Sequence, residues 1–202
     1  MTSPGDRWDG PGLGEWDLRS LVGHTSRSLI TVSTYLAHTA EREDITTPHE
    51  YYARVNPATL GVAPAGIVER GRQAGRDLGD NPAATVDALV SRVLAELSEA
   101  GNPLIQVIGG AGIRLRTYLP TRTFELAVHG LDIARVVDIS FALPPDVLRE
   151  ATALAARIAV AEGHGETVLM ALTGPRRVAT VVLNCLSSPT CRWGVVAWAT
   201  PR

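Results

Sequence analysis

The sequence predicts a mainly α-helical bundle with one small β-hairpin and a short C-terminal extension. Three observations carry this. Ala, Leu, Val and Arg dominate the 202 residues while aromatic residues supply only 5 %, a composition that favours helices. Several long stretches place apolar residues three or four positions apart, the period of a helix with one face packed. Prolines and glycines bracket two of these stretches: Pro82 with Gly101, and Pro145 with Gly163, as helix starts and stops require. A chain of this length can bury a real core.

The elements follow in order. Residues 1–15 are a Gly/Pro-rich lead-in. A helix is expected from about Asp17 to Ala40, with Leu18, Leu21, Val22, Leu29, Val32 and Leu36 on one stripe. The charged stretch EREDITTPHE connects it to a short helix from about Glu50 to Val55. AGIVERGRQAGRDLG reads as a weaker helix, because Gly66, Gly71 and Gly75 each cost helix propensity. Residues 80–101 form a well-signalled helix that Asp80 or Asn81 can cap. In LIQVIGGAGIRL two apolar runs flank Gly109, Gly110 and Gly112, which reads as a hairpin. The Lys-Ser/Thr and helix of a phosphate-binding loop do not follow it. Helices from Thr117 to Val137, Pro145 to Glu162 and through ETVLMALTG come next. Pro120 is tolerable if it falls in the first turn of its helix. The tail after Gly174 reads as strand-like or irregular. The bundle is assigned to residues 1–140 and the extension to 141–202.

Composition also excludes. A net charge of −2 gives no reason to expect a nucleic-acid partner. The N-terminus lacks the basic and apolar regions of a signal peptide, and no apolar run is long enough for a bilayer span. The expected location is the cytoplasm, with Cys185 and Cys191 as reduced thiols.

The helix around residues 117–137 carries the chemistry. At about 100° per residue, Tyr118, Arg122, Glu125, His129 and Asp132 fall on one narrow line. Leu119, Leu126 and Ile133 lie to one side, and Phe124, Val128 and Leu131 to the other. A surface helix has a broad polar face. A polar line between apolar flanks implies a helix packed on several sides, with the line partly buried. Buried ionisable groups are paired, hydrogen-bonded or bound to a metal. Glu125 and His129, four apart, can converge on one ion, or they can be an ordinary helix pair. A metal would need a third ligand, and His24, at the border of the first helix's apolar stripe, is the best candidate. His38, His49 and His164 read as solvated.

WDGPGLGEWDLRSLVGH and IRLRTYLPTRTFELAVHGLDIARVV resemble the mycothiol-dependent maleylpyruvate isomerase family, within the DinB-like helical-bundle superfamily. The resemblance runs from about Trp8 to Gly174. It implies a DinB-like up-down bundle holding a divalent metal, usually zinc, on a His after the Pro-Gly turn and on Glu and His four apart later. By position these are His24, Glu125 and His129. It also implies mycothiol as thiol cosubstrate and a small electrophile as its partner, in S-transfer or cis–trans isomerisation. Arg122 could orient Glu125, bind a substrate carboxylate, or form a salt bridge with Glu125 or Asp132. Tyr118 could donate a hydrogen bond at the site or simply pack. Asp132 is expected to partner a ligand or Arg135. A metal hydrolase, and a non-catalytic helical module with a buried ion-pair network, are the other readings. The family's usual helix before Trp8 has no counterpart in the seven residues that precede it here. The resulting gap in the bundle would be filled by a homodimer or by the C-terminal segment folding back. The segment after Gly174 does not resemble the founding isomerase's C-terminal domain.

Overall fold

The computed structural model describes residues 7–55, 61 and 63–173. The strand-like tail, the folding back of the C-terminal segment, Cys185 and Cys191 lie outside the described residues.

Among the described residues, seven α-helices and one hairpin follow in chain order. They are α1 (Leu18–Leu36), α2 (Pro48–Arg54), α3 (Pro64–Asp77), α4 (Pro82–Ala100), β1 (Leu104–Gln106), β2 (Gly112–Arg114), α5 (Leu115–Val136), α6 (Pro145–Ala161) and α7 (Gly165–Thr173). Helix α1 starts where the Asp17 carboxylate accepts the Ser20 backbone N–H at 2.7 Å, satisfying a donor that the first helical turn leaves free. Helix α4 starts the same way on Asn81, whose side chain accepts from the Ala84 N–H. Helix α1 stops at Leu36, four residues short of the expected Ala40. Thr39 instead bridges to Ile105, and Ile45 bridges to Ile113. The stretch between α1 and α2 is thus drawn along the hairpin, whose strands pair antiparallel with Ile105 opposite Ile113.

Helix α1 packs against α3, α4 and α5, while α5 also contacts α2, α6 and β2, and α6 rests on α5, α2 and α7. The glycine-rich α3 is a full partner of α1, and α6 packs on α5 and α2. Propensity points the wrong way here because these glycines are the contact surface. A methyl group at Gly23 would lie 2.2 Å from the Gly75 backbone nitrogen, and one at Gly71 would lie 2.5 Å from the Trp16 ring. Close approach of the two helices outweighs the roughly 1 kcal/mol that each glycine costs a helix. Helices α3, α4 and α5 all pack on α1.

Helix α5 begins at Leu115, two residues before the expected Thr117, so Pro120 sits inside it rather than in its first turn. Its missing N–H leaves the Arg116 carbonyl without a helical donor. Arg116 and Pro120 are both exposed, so water can take that carbonyl. Asn102 accepts the Arg116 N–H at 2.9 Å and Pro103 accepts that of Leu115 at 2.9 Å, capping the helix from the preceding loop.

Two apolar clusters result. The larger joins Val32, Leu89, Val93, Ile105, Ile113, Leu115, Tyr118, Leu154 and Ile158 with Tyr51 and Tyr52. The smaller joins Leu13, Trp16, Leu21 and Val68.

Candidate functional site

The polar line of α5 runs between these clusters, against α1 and α2, and it is buried as the sequence implies. Tyr118 is 0 %, His129 4 % and Asp132 6 % exposed, and the Glu125 side chain keeps 24 %. Three of the residues singled out from the sequence come together here. The His24 ring, on α1, lies with its centroid 5.0 Å from that of His129, edge to face. His129 Nε2 lies 3.5 Å from Glu125 Oε2.

Each of the three has a support. Trp16 lies against His24, with centroids 4.4 Å apart at 31°, and is itself fixed by donating its indole N–H to the Val68 carbonyl at 2.9 Å. Asp132 Oδ2 sits 3.3 Å from His129 Nδ1 while its Oδ1 accepts from Arg135 at 3.4 Å; both expected partners are present. Tyr52 Oη, from α2, lies 3.0 Å from Glu125 Oε1 and 3.0 Å from the Thr121 carbonyl.

The two imidazoles are driven to opposite charge states. Burial, and then the charge on His129, push the His24 pKa down to about 3. His24 is therefore neutral, and neither of its nitrogens is engaged in a hydrogen bond with a described residue. Burial opposes charge on His129 too, but the Asp132 and Glu125 carboxylates outweigh it and push its pKa up to about 9. Burial would raise the Glu125 pKa; His129, Arg122 and Tyr52 together hold it below the ordinary carboxylate value.

Arg122 is placed differently from any of its expected salt bridges. It makes no ion pair with Glu125 or Asp132. Its guanidinium carbon lies 4.8 Å from the Tyr118 ring centroid and 5.2 Å from that of Tyr51. Its Nε donates to Thr121 Oγ1 at 3.0 Å, and its terminal nitrogens meet no acceptor among the described residues. The Tyr118 hydroxyl bonds Thr31 Oγ1 on α1 at 2.9 Å, so this residue supports Arg122 with its ring and α1 with its hydroxyl.

Sequence reasoning missed Trp16, Tyr51 and Tyr52. A signal was there: in a chain this poor in aromatics, YY at 51–52 is conspicuous. All four tyrosines form one contiguous cluster, through Tyr35–Tyr118, Tyr51–Tyr118 and Tyr51–Tyr52 contacts of 5.4 to 5.6 Å. His49 is a correction. Rather than solvated, it is half-buried in the first turn of α2, and its Nδ1 is buried with no hydrogen-bond partner among the described residues. His38 is exposed, as expected, and bonds the Thr34 carbonyl.

The donor set of His24, Glu125 and His129 is two imidazoles and one carboxylate, which suits zinc. Among the described residues, however, no group of three or more His, Cys, Asp or Glu side chains is arranged as it would be around a metal ion. The reason is visible: His129 is closed onto Glu125 and Asp132 as a cation. The donor chemistry fits a metal; the present pairing satisfies the charges without one. No described helix is long and apolar enough to cross a membrane.

The family model for the mycothiol maleylpyruvate isomerase N-terminal domain matches residues 4–134, which include His24, Arg122, Glu125, His129 and Asp132. The chain belongs to that family. No curated protein and no solved structure matches it.

Proposed function

We propose that this member of the mycothiol maleylpyruvate isomerase N-terminal domain family is a cytoplasmic enzyme dependent on a divalent metal, zinc for preference, and on mycothiol. It would carry out S-transfer or cis–trans isomerisation of a small electrophile. The observation that carries the reading is His24: a neutral imidazole, its nitrogens in no hydrogen bond with a described residue, edge to face with His129. His24, Glu125 and His129 would hold the ion. When bound, it would supply the positive charge that keeps a thiol as thiolate at neutral pH.

The remaining roles belong to the chain. Asp132, on Nδ1, fixes the His129 ring so that Nε2 faces Glu125, the usual partnership of a ligating histidine. Trp16 holds the His24 ring. Arg122, raised on two tyrosine rings with its terminal nitrogens meeting no acceptor among the described residues, would present a planar fork to a carboxylate. Tyr118 acts as the floor beneath that fork. The family match ends at residue 134, which supports placing the bundle in residues 1–140 and an extension in 141–202.

A second reading has its own observation. The His129 cation between Glu125 and Asp132 is a complete ion-pair network, and a non-catalytic helical module needs nothing more. Elemental analysis of protein purified without a metal-affinity tag, stripped and reconstituted with zinc, separates the two: about one zinc per chain is expected, and none would establish the network. X-ray absorption then tests the thiol. On a Cys185→Ser/Cys191→Ser variant, adding mycothiol should bring in a sulfur scatterer at about 2.3 Å. An unchanged nitrogen and oxygen shell would contradict thiol activation.

A further inference from the structure

We propose that residues 178–186 of this chain lie over the outer face of α7, the face that exposes Leu169, Met170 and Leu172. Face and run are close in sequence, alike in polarity and opposite in charge.

Helix α7 packs on α6, and it buries its smallest apolar side chain while showing its largest. Ala171 is 2 % exposed, whereas Leu169, Met170 and Leu172 keep 60 %, 59 % and 60 %. At about 100° per residue, Leu172, Leu169 and Met170 follow one another around the side opposite Ala171. The polar residues of that side are Glu166 at the start of the helix and Thr173 at its end. A helix that is apolar on both sides is a buried one, and large apolar side chains exposed together mark a surface that something covers. Val160 of α6, 66 % exposed, extends the surface to the start of α7, where it stands beside Gly165.

The chain itself supplies the cover. Residues 178–186, VATVVLNCL, contain only two polar side chains, Thr180 and Asn184. From Thr173 to Val178 the chain spans at most about 18 Å, and the nine residues of α7 rise about 13 Å. The run therefore begins within reach of the whole face. A tether this short holds it there at an effective concentration of about millimolar, far above that of a second copy in dilute solution. Charge favours the same pairing. Residues 145–173 hold four acidic residues against two arginines, and residues 174–202 hold four arginines and no acidic residue.

Met170 is the only methionine besides Met1, so photo-methionine places a diazirine on this face of the full-length chain. Irradiation followed by trypsin should join the peptide 158–176, which contains Met170, to the peptide 178–192, while the intact protein keeps the mass of one chain. A product of twice that mass would put a second copy on the face. A join to another segment, or capture of water or of the peptide's own residues alone, would place residues 178–186 elsewhere. Each of these results overturns the inference. Leu172→Glu sets a charge into the covered face, and both its melting temperature and the yield of the 178–192 join should fall. A melting temperature that stays or rises also overturns the inference, because a charge on an open face costs nothing. The cross-link, made on the unaltered sequence, decides the matter even where this variant fails to fold.

Discussion

At the N-terminal end of the α5 polar line a cation, Arg122, rests between the faces of Tyr118 and Tyr51 with no counterion in contact among the described residues. One to three turns further along, His129 carries its charge between two carboxylates, with a neutral histidine edge-on to it. Both ends bury charge in a helix flanked by apolar residues, and they do so by opposite means. Quadrupolar faces attract a cation without consuming its hydrogen-bond donors, so Arg122 remains able to recognise something else. Paired carboxylates neutralise a cation and occupy its donors, so the His129 end is closed until another cation replaces the proton. The first arrangement suits recognition and the second suits exchange.

The largest expected effect is at the closed end. His129→Ala removes the cation between Glu125 and Asp132 and leaves two carboxylates sharing a buried site. Losing one partner of a buried pair costs about 3–5 kcal/mol, and chemical denaturation of the metal-free protein should register a loss of that order. Most of the zinc should be lost as well. If stability is unchanged, the network is not formed in solution and the contrast between the two ends disappears.

The next effect is a pH window, again in the metal-free protein. The His129 pKa is raised to about 9 in the folded state, against about 6.5 when unfolded. Its stabilisation is therefore complete below about pH 6.5 and is lost as the pH rises through 9. The His24 pKa is depressed to about 3. Folding keeps His24 neutral, so stability is lost as the pH falls from about 6.5 towards 3. A melting temperature that is highest between the two limbs is expected. His24→Gln should flatten the acid limb alone, and a profile that it leaves intact would remove His24 from the account.

Arg122→Leu addresses the open end. A desolvated cation–π contact contributes up to about 2 kcal/mol, and the leucine recovers part of that by packing on the same rings. A loss of stability below 2 kcal/mol is expected, with zinc content unchanged. If Arg122 recognises a carboxylate, KM for an anionic electrophile should rise more than kcat falls. Loss of zinc in this variant would mean that Arg122 serves the ligands and that the two ends are one unit.

How much of this could be read from the chain depends on what each signal measures. The α5 line was legible because helical periodicity is a local property, and burial of a polar line follows from its apolar flanks. The pairing of His24 with that line came from the border of one apolar stripe and the family resemblance together. Helix α3 was undervalued because propensity counts glycine only as a cost, whereas Gly23, Gly71 and Gly75 matter through what sits opposite them. Tyr51, Tyr52 and Trp16 were missed for the same reason: nothing within a few residues of them says which helix they will meet. Of the readings open for Arg122, the salt bridge to Glu125 or Asp132 is the one not formed, because spacing along one helix points to carboxylates three or four away and says nothing of a ring arriving from α2.

Tyr118→Phe should have the smallest effect, and it tests how the open end is fixed to the bundle. The tyrosine is fully buried and its hydroxyl bonds Thr31 Oγ1 on α1 at 2.9 Å. Thr31 in turn reaches the Ser28 carbonyl at 3.3 Å, so removing the tyrosine hydroxyl leaves Thr31 with a donor contact still made. The loss should sit near the usual net value of a hydrogen bond, about 1 kcal/mol, because the ring and its contacts with Arg122, Tyr35 and Tyr51 remain. Zinc content and the pH window set by His24 and His129 should not change. A variant that kept its stability but lost turnover would show instead that the Tyr118 hydroxyl turns toward substrate. The floor beneath Arg122 would then be a participant, and the open end would share the chemistry assigned to the closed one.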